Sequence, residues 1–411
     1  MSGGWRLAPI GRLALPDVED LEEDTPSGYH PTIIGDSFCG GRYTVVHKLG
    51  FGGYSTIWLA RDHRTERYVS LKILVPSKSQ DSQEGTILER LANSALKHPG
   101  RRFIPPLLDQ FFFEGPNGQH WCLVGEPAGC SIAHSKENST NYTFPLDAAR
   151  SLAALLIMGW SYLHANDVCH GDLHLHNFLL RLPNLDHLRQ RKSTTGSATP
   201  SKSPSGAWTG NLPRPMRHDM SLTLWSGTCL QTSSRALKFS SPTTGHRLLR
   251  RRPLLQPSHA SPVWSTGRLF QKNHHHGCGH MDSDVILYEV LGERPLFETF
   301  AWDPDDILGE MINVLGQPPQ EWWKAWANRH KFFNQDGLWI TNFARINTPQ
   351  FRHLHQRMWD MGRGETPDSC EWDVAGGEPK ALEDLLRAMM SFEPGERPTA
   401  EQLLASKYMV K

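Results

Sequence analysis

A single lysine stands inside an otherwise apolar run, Tyr68-Val-Ser-Leu-Lys-Ile-Leu74. The run reads as a strand, and an ammonium buried in a strand is costly unless it meets a negative charge. Downstream, Glu84 opens the helical stretch Glu84-Gly-Thr-Ile-Leu-Glu-Arg-Leu91, with Ile87, Leu88 and Leu91 on one face. Glu84 is the natural partner of Lys72; a solvated helix carboxylate is the plain alternative. Gly85 weakens the start of this helix by up to ~1 kcal/mol.

Upstream, Gly41-Arg-Tyr-Thr-Val-Val-His-Lys-Leu-Gly50 reads as a strand running into a glycine turn. Phe51-Gly-Gly-Tyr-Ser-Thr-Ile-Trp-Leu-Ala60 continues through more glycine into a second strand. A hairpin whose turn lacks bulk can lay backbone N–H groups over phosphates. Gly50 and Gly52, followed by Ser55 in place of a third glycine and then by Ile57, fit G-x-G-x-x-G-x-V imperfectly. An ordinary glycine-rich hairpin is the competing reading. A nucleotide's phosphates together with Glu84 would supply the charge that Lys72 needs.

Residues Pro145 to His164 form a long apolar helical stretch, with Leu152, Leu155, Leu156 and Trp160 at helical spacing as a core stripe. It leads into Val168-Cys-His-Gly-Asp-Leu-His-Leu-His-Asn-Phe-Leu-Leu180. His170, Asp172 and then Asn177 form the constellation of a phosphoryl-transfer loop. In that reading Asp172 orients or accepts the proton of the acceptor hydroxyl, Asn177 is the metal ligand holding Mg²⁺, and His170 braces the loop. The alternative is a chance polar turn after a buried helix.

These motifs resemble a eukaryotic protein kinase, and most closely the SR-protein kinase family and its fungal members. The match is carried by Gly28-Tyr-His-Pro-Thr-Ile-Ile-Gly-Asp36, Gly41-Arg-Tyr43, Lys48 to Asp62, His170-Gly-Asp-Leu-His174, Leu291-Gly-Glu-Arg-Pro-Leu-Phe-Glu298 and Ser391-Phe-Glu-Pro-Gly-Glu-Arg-Pro-Thr-Ala400. It covers residues 26 to 182 and 286 to 410. The resemblance implies an α+β bilobal kinase fold, a β-rich N-lobe over a helical C-lobe, working on ATP and Mg²⁺. It implies a nucleotide site from Leu49, Gly50, Phe51, Gly52, Gly53, Tyr54, Ser55, Thr56 and Ile57, with Lys72, Glu84 and the hinge residue Glu126. Catalytic roles fall to Asp172, Asn177, His170 and Lys72. Trp121-Cys-Leu-Val-Gly-Glu-Pro-Ala-Gly129 would be the hinge, with Gly125 where a bulkier side chain usually guards the rear of the pocket. His174 stands where many protein kinases carry a phosphate-contacting lysine. Arg397 matches the usual salt-bridge arginine near the C-terminus, with no evident glutamate partner.

A working family member also needs a second metal-binding aspartate (Asp-Phe-Gly or similar) and an Ala-Pro-Glu-like end to its activation segment. Neither stands between Asn177 and Leu291, and Gln335-Asp-Gly337 comes far too late. The buried aspartate of the central C-lobe helix is also missing, so a hole is expected where that helix belongs. The composition there is anomalous. Lys+Arg 43 balance Asp+Glu 43 over 411 residues, yet Arg191 to His280 holds thirteen basic residues and one acidic residue, Asp219. The rest carries 30 basic and 42 acidic residues. The stretch is rich in Ser, Thr, Pro, Gly and His and has no sustained apolar period.

One reading is a basic, low-order insert, such as SR-protein kinases resemble in having a spacer between kinase halves. The preferred reading is translation out of frame. His280-Met-Asp282, shifted by one base, forces a tryptophan and permits Asp-Ile-Trp-Thr, and Ser265-Thr-Gly-Arg268 in the same frame permits Pro-Pro-Glu. Lys238 to Gly245, shifted by two bases, permits Ile-Leu-Ile-Ser-Asp-Tyr-Gly. The chain thus divides into an extension 1–40, an N-lobe 41–127, the start of the C-lobe 128–184, a basic low-order segment 185–284 and the remaining C-lobe 285–411.

The function expected is ATP-dependent phosphorylation of protein Ser/Thr, with Arg/Ser-rich substrates, the activity of the chain as written being in doubt. The alternatives are a pseudokinase or scaffold and, behind it, an aminoglycoside- or choline-type phosphotransferase, whose loop His-Gly-Asp-x-His-x-x-Asn is the same. Nucleic-acid binding through Arg247, Arg250, Arg251 and Arg252 lacks interleaved aromatics and a fold to carry it. Asp303, Asp305 and Asp306 lie in the region where family members carry an acidic docking groove, though a solvated acidic turn explains them as well. Zero formal charge, no membrane-length apolar run and no apolar signal core point to a monomer of the cytoplasm or nucleus without nucleic-acid or membrane partners. Seven scattered cysteines without a CxxC pair fit reduced thiols.

Overall fold

The computed structural model describes residues 28–80, 82–170, 173–182, 222–224, 231–232, 280–297, 304–343, 345 and 350–410. They divide into two compact units. The first holds residues 28–85 and 106–127, with Leu182; the second holds 86–105, 128–181 and the described residues from 222 onward.

The first unit contains β1 (Ser37–Phe38), β2 (Tyr43–Gly52), β3 (Ser55–Asp62), β4 (Arg67–Leu74), the short helix α1 (Pro76–Ser79) and the start of α2 (Glu84–Ala92), then β5 (Leu107–Gly115) and β6 (Gly118–Gly125). The strands form one antiparallel sheet in the order β1-β2-β3-β4-β6-β5. Alternation sets the faces. Tyr43, Val45, Trp58, Ala60, Val69, Leu71 and Ile73 join Phe38, Cys122 and Val124 in one buried cluster. Ser70 and Lys72 fall between these positions and face the other way, and they too are buried.

A strap, residues 28–38, lies along this unit. Gly35 N–H donates to Val45 O and Val45 N–H donates to Asp36 O, both at 2.9 Å. Arg42 closes the sheet's other side, donating to Asp62 at 3.0 and 3.1 Å and to Asp109 at 2.6 Å. Burial alone would raise the Asp62 carboxyl, but hydrogen bonds from Arg42, Arg64 N–H and Thr65 hold it down to about 2.

The second unit is helical, apart from short strands. Its elements are β7 (Ala128–Ser131), α3 (Ile132–Glu137), α4 (Leu146–Ala165), β8 (Val168–Cys169), β9 (Phe178–Arg181), β10 (Leu222–Leu224) and β11 (Gln231–Thr232). Then come α5 (His280–Leu291), α6 (Pro304–Leu315), α7 (Gln320–Ala325), α8 (Leu354–Trp359), α9 (Glu378–Met389) and α10 (Ala400–Leu404). α4 is buried along Leu152, Leu156, Ile157, Trp160 and Leu163; of the expected stripe Leu155 is only half-buried, since it sits at the edge of the buried face. Ile87 and Leu91 of α2 pack on Tyr162, Leu163 and Val168, so all of α2 beyond Gly85 counts with this unit.

The hole expected at the centre of the C-lobe is not there. α5 packs against α4 and α9, and Val285, Ile286, Leu287, Tyr288, Val290 and Leu291 are buried. An apolar run of this length suffices to fill the space, whatever stands before it. Within 185–284, Leu222–Leu224 pair antiparallel with β9, Gln231–Thr232 pair with β8, and α5 begins at His280. The remainder of that segment, including Lys238 to Gly245 and Ser265 to Arg268, lies outside the described residues. Among the described residues no helix is long and apolar enough to cross a membrane.

Candidate active site

In the first unit Lys72 lies between Ile57 of β3 and Leu123 of β6. Its side chain is fully buried, and its Nζ donates to both oxygens of Glu84, at 2.7 and 2.6 Å. Glu84 is itself 6% exposed. The helix start can come this close because residue 85 is glycine. A Cβ there would stand 2.6 Å from the Trp121 ring and in collision with Gln110. Gly85 costs helix propensity and is the condition for the ion pair.

The hairpin β2–β3 shifts register twice, between Val45 and His47 and between Lys48 and Gly50, and stays paired to Gly52 and Ser55, leaving Gly53 and Tyr54 as its turn. Leu49, Phe51 and Tyr54 are exposed. Ser55 and Thr56 are buried, and Thr56 Oγ1 accepts the Trp58 indole N–H at 3.1 Å, so Thr56 is committed to the wall of the hairpin. At the end of β6, Gly125 is buried opposite Ser70, and Ser70 Oγ donates to the Glu126 carbonyl at 3.1 Å.

In the second unit His170 is buried and stacks on Phe178 at 5.9 Å, which meets Trp160 at 6.3 Å. The loop is therefore braced from α4, as expected of His170. Leu173 and Leu175 are buried on either side of His174. Asn177 Nδ2 donates to His174 Nε2 at 2.9 Å. Gly171 and Asp172 lie outside the described residues. Burial pushes the Glu289 carboxyl of α5 up to about 7, with Lys136 and His174 pulling it back down. Lys136 Nζ donates to the Glu289 backbone carbonyl at 2.7 Å.

The described residues alone do not make up a Mg²⁺ site. Such sites use one or two carboxylates along with substrate phosphates. Among the described residues no group of three or more His, Cys, Asp or Glu could hold a metal, and Asn177 offers a single neutral amide. Asp336 is no substitute, because it sits in a turn in which Asn334 Oδ1 accepts from the Asp336 and Leu338 amides.

Several pairings had no signal in sequence. Arg150 of α4 grips Glu378 with two bonds of 2.8 and 2.7 Å. Arg357 is buried against Glu310 at 2.8 Å. Arg397 donates to the Ser391 carbonyl at 2.8 Å. Asp305 is half-buried and accepts from the Trp326 indole at 2.6 Å and from Asn328, so it is tied to the segment after α7. Asp303 lies outside the described residues.

The sheet with its lysine–glutamate pair, and the helix leading into the His170–Asn177 loop, define a protein kinase domain. Residues 43–189 match the protein kinase domain family. A serine/threonine protein kinase of Aspergillus fumigatus is 26% identical over 399 residues, covering 93% of this chain and 88% of that protein. Protein kinase dsk1 of Schizosaccharomyces pombe is 34% identical over 193 residues, 46% of this chain and 35% of dsk1. SRSF protein kinase 3 of Homo sapiens is 34% identical over 193 residues, 44% of this chain and 34% of its own length. The chain is an SRPK-like serine/threonine protein kinase.

Proposed function

We propose that the first unit binds ATP with Lys72 on its phosphates, and that the chain as written transfers the phosphoryl group slowly for want of a second metal-holding carboxylate. The observation that carries this is the buried Lys72–Glu84 pair, with Nζ–O distances of 2.6–2.7 Å. A buried ammonium held rigidly by a carboxylate is a fixed positive point for an incoming phosphate, and a bare ion pair gives little stability reason to keep it. Glu84 orients Lys72. The turn Gly50 to Ser55 offers backbone amides. The Glu126 backbone, whose carbonyl accepts from the Ser70 hydroxyl at 3.1 Å, is the hinge segment that faces the adenine. Asn177 and Asp172 supply the loop chemistry, and protein Ser/Thr, in Arg/Ser-rich segments, is the acceptor.

The product of an in-frame gene, with Asp-Tyr-Gly and Pro-Pro-Glu restored, is the full enzyme. The transcript across codons 185 to 290 tests this part: a single open frame encoding both motifs is expected, and the residues written here would instead favour the pseudokinase reading. Transfer of labelled phosphate from ATP to an Arg-Ser peptide tests the rest. The chain as written should label the peptide far more slowly than a version carrying both motifs, and equal rates would overturn the proposal.

A further inference from the structure

Ser55 and Thr56 anchor one end of the glycine-rich turn, and Lys78 Nζ lies 4.6 Å over the Tyr54 ring, but Gly50 and Gly52 bring no side chain to hold it. A Cβ added at Gly50 or Gly52 would meet nothing within 4 Å, and neither residue has a positive φ. Neither packing nor backbone geometry therefore demands glycine at these two positions; what their absent side chains leave is open surface for something outside the chain. A phosphate cradle works only if its amides keep one conformation, and positions without side chains need restraints through the backbone. One is internal: Val75 N–H, just past β4, donates to the Tyr54 carbonyl at 2.9 Å. The other comes from the strap. The Tyr29 hydroxyl donates to the Gly52 carbonyl at 2.8 Å.

Tyr29 is 4% exposed, and its own position is fixed from two sides. The Asn117 side-chain amide, in the β5–β6 turn, donates to the Tyr29 carbonyl. The next residue, His30, sits edge-on to Phe113 at 5.0 Å and to Phe38 at 5.8 Å. The strap thus links the β5–β6 turn and the sheet's aromatic face to the glycine-rich turn, through one phenol.

We propose that Tyr29 is a positioning residue for the phosphate-binding turn: through Gly52 it holds the turn's amides where a nucleotide's phosphates are received. This rests on the reading of that turn as the phosphate cradle. The test is calorimetric titration of the full chain with ADP and, separately, with adenosine, in EDTA so that no metal contributes. Tyr29→Phe keeps the ring and removes one neutral hydrogen bond, which translates to a roughly fivefold loss of ADP affinity. Adenosine affinity should not change, whereas a general loosening of the unit would weaken both. Amide exchange across residues 50–56 should quicken in the same variant. Asn117→Ala, which frees the strap without touching the turn, should shift ADP affinity in the same direction. ADP binding unchanged in Tyr29→Phe, or ADP and adenosine weakened alike, overturns the proposal and leaves the cradle reading standing. An unaltered chain that binds ADP no better than adenosine overturns the cradle reading itself, and this proposal with it.

Discussion

At Lys72 the ammonium is fully buried and is gripped by both oxygens of the Glu84 carboxylate. Removing a single partner of such a pair leaves a buried charge uncompensated, which costs about 3–5 kcal/mol. Glu84→Ala should therefore lower unfolding free energy by that order in urea titration. Combining it with Lys72→Met should recover part of the loss, and strictly additive losses would show that the two side chains do not interact. The pair was legible in sequence because a lone lysine in an apolar strand demands a counter-charge, and the only question was which one. His30 was not legible. Burial, with His120 beside it, lowers its pKa to about 4 from 6.5. The folded chain then binds fewer protons than the unfolded chain between those values. Stability is full above about pH 6.5 and falls as pH drops toward 4. His30→Phe, placed among Phe38 and Phe113, should flatten that part of the stability–pH curve, and an unchanged slope would contradict it.

At the scale of elements, the start of α2 shows how a local rule yields to packing. Helix propensity favours alanine over glycine by up to ~1 kcal/mol. Gly85 nevertheless faces the Trp121 ring with no room for a Cβ. Gly85→Ala should push the helix start away from β6 and destabilise the chain by about 1–3 kcal/mol, the usual cost of overpacking. A rise in melting temperature would refute this. Strand and helix assignments around Lys72, Glu84 and α4 followed from period and composition, since each element's apolar pattern is local. α5 does not follow from sequence, because an absent aspartate says nothing of the packing, and six buried apolar side chains suffice to seat the helix. Thr56 belongs to the turn that sequence places over the nucleotide, and its hydroxyl accepts from the indole of Trp58, two residues along the same strand.

For the whole molecule, what sequence could not disclose is long-range pairing. Arg150–Glu378, Arg357–Glu310 and Tyr29–Gly52 join residues whose separation in the chain carries no periodic signal. What sequence disclosed best is the buried lysine with its carboxylate partner and the glycine-rich hairpin before it. Together they are the ground for the proposal that this SRPK-like kinase binds nucleotide at Lys72 and, as written, lacks a second metal-holding carboxylate. Titration of the unaltered chain with ADP, in EDTA and again in excess Mg²⁺, tests this most directly. Binding in EDTA that Mg²⁺ changes by less than about threefold, roughly 0.6 kcal/mol, is expected. No binding in either condition, or a tightening of tenfold or more by Mg²⁺, would contradict it.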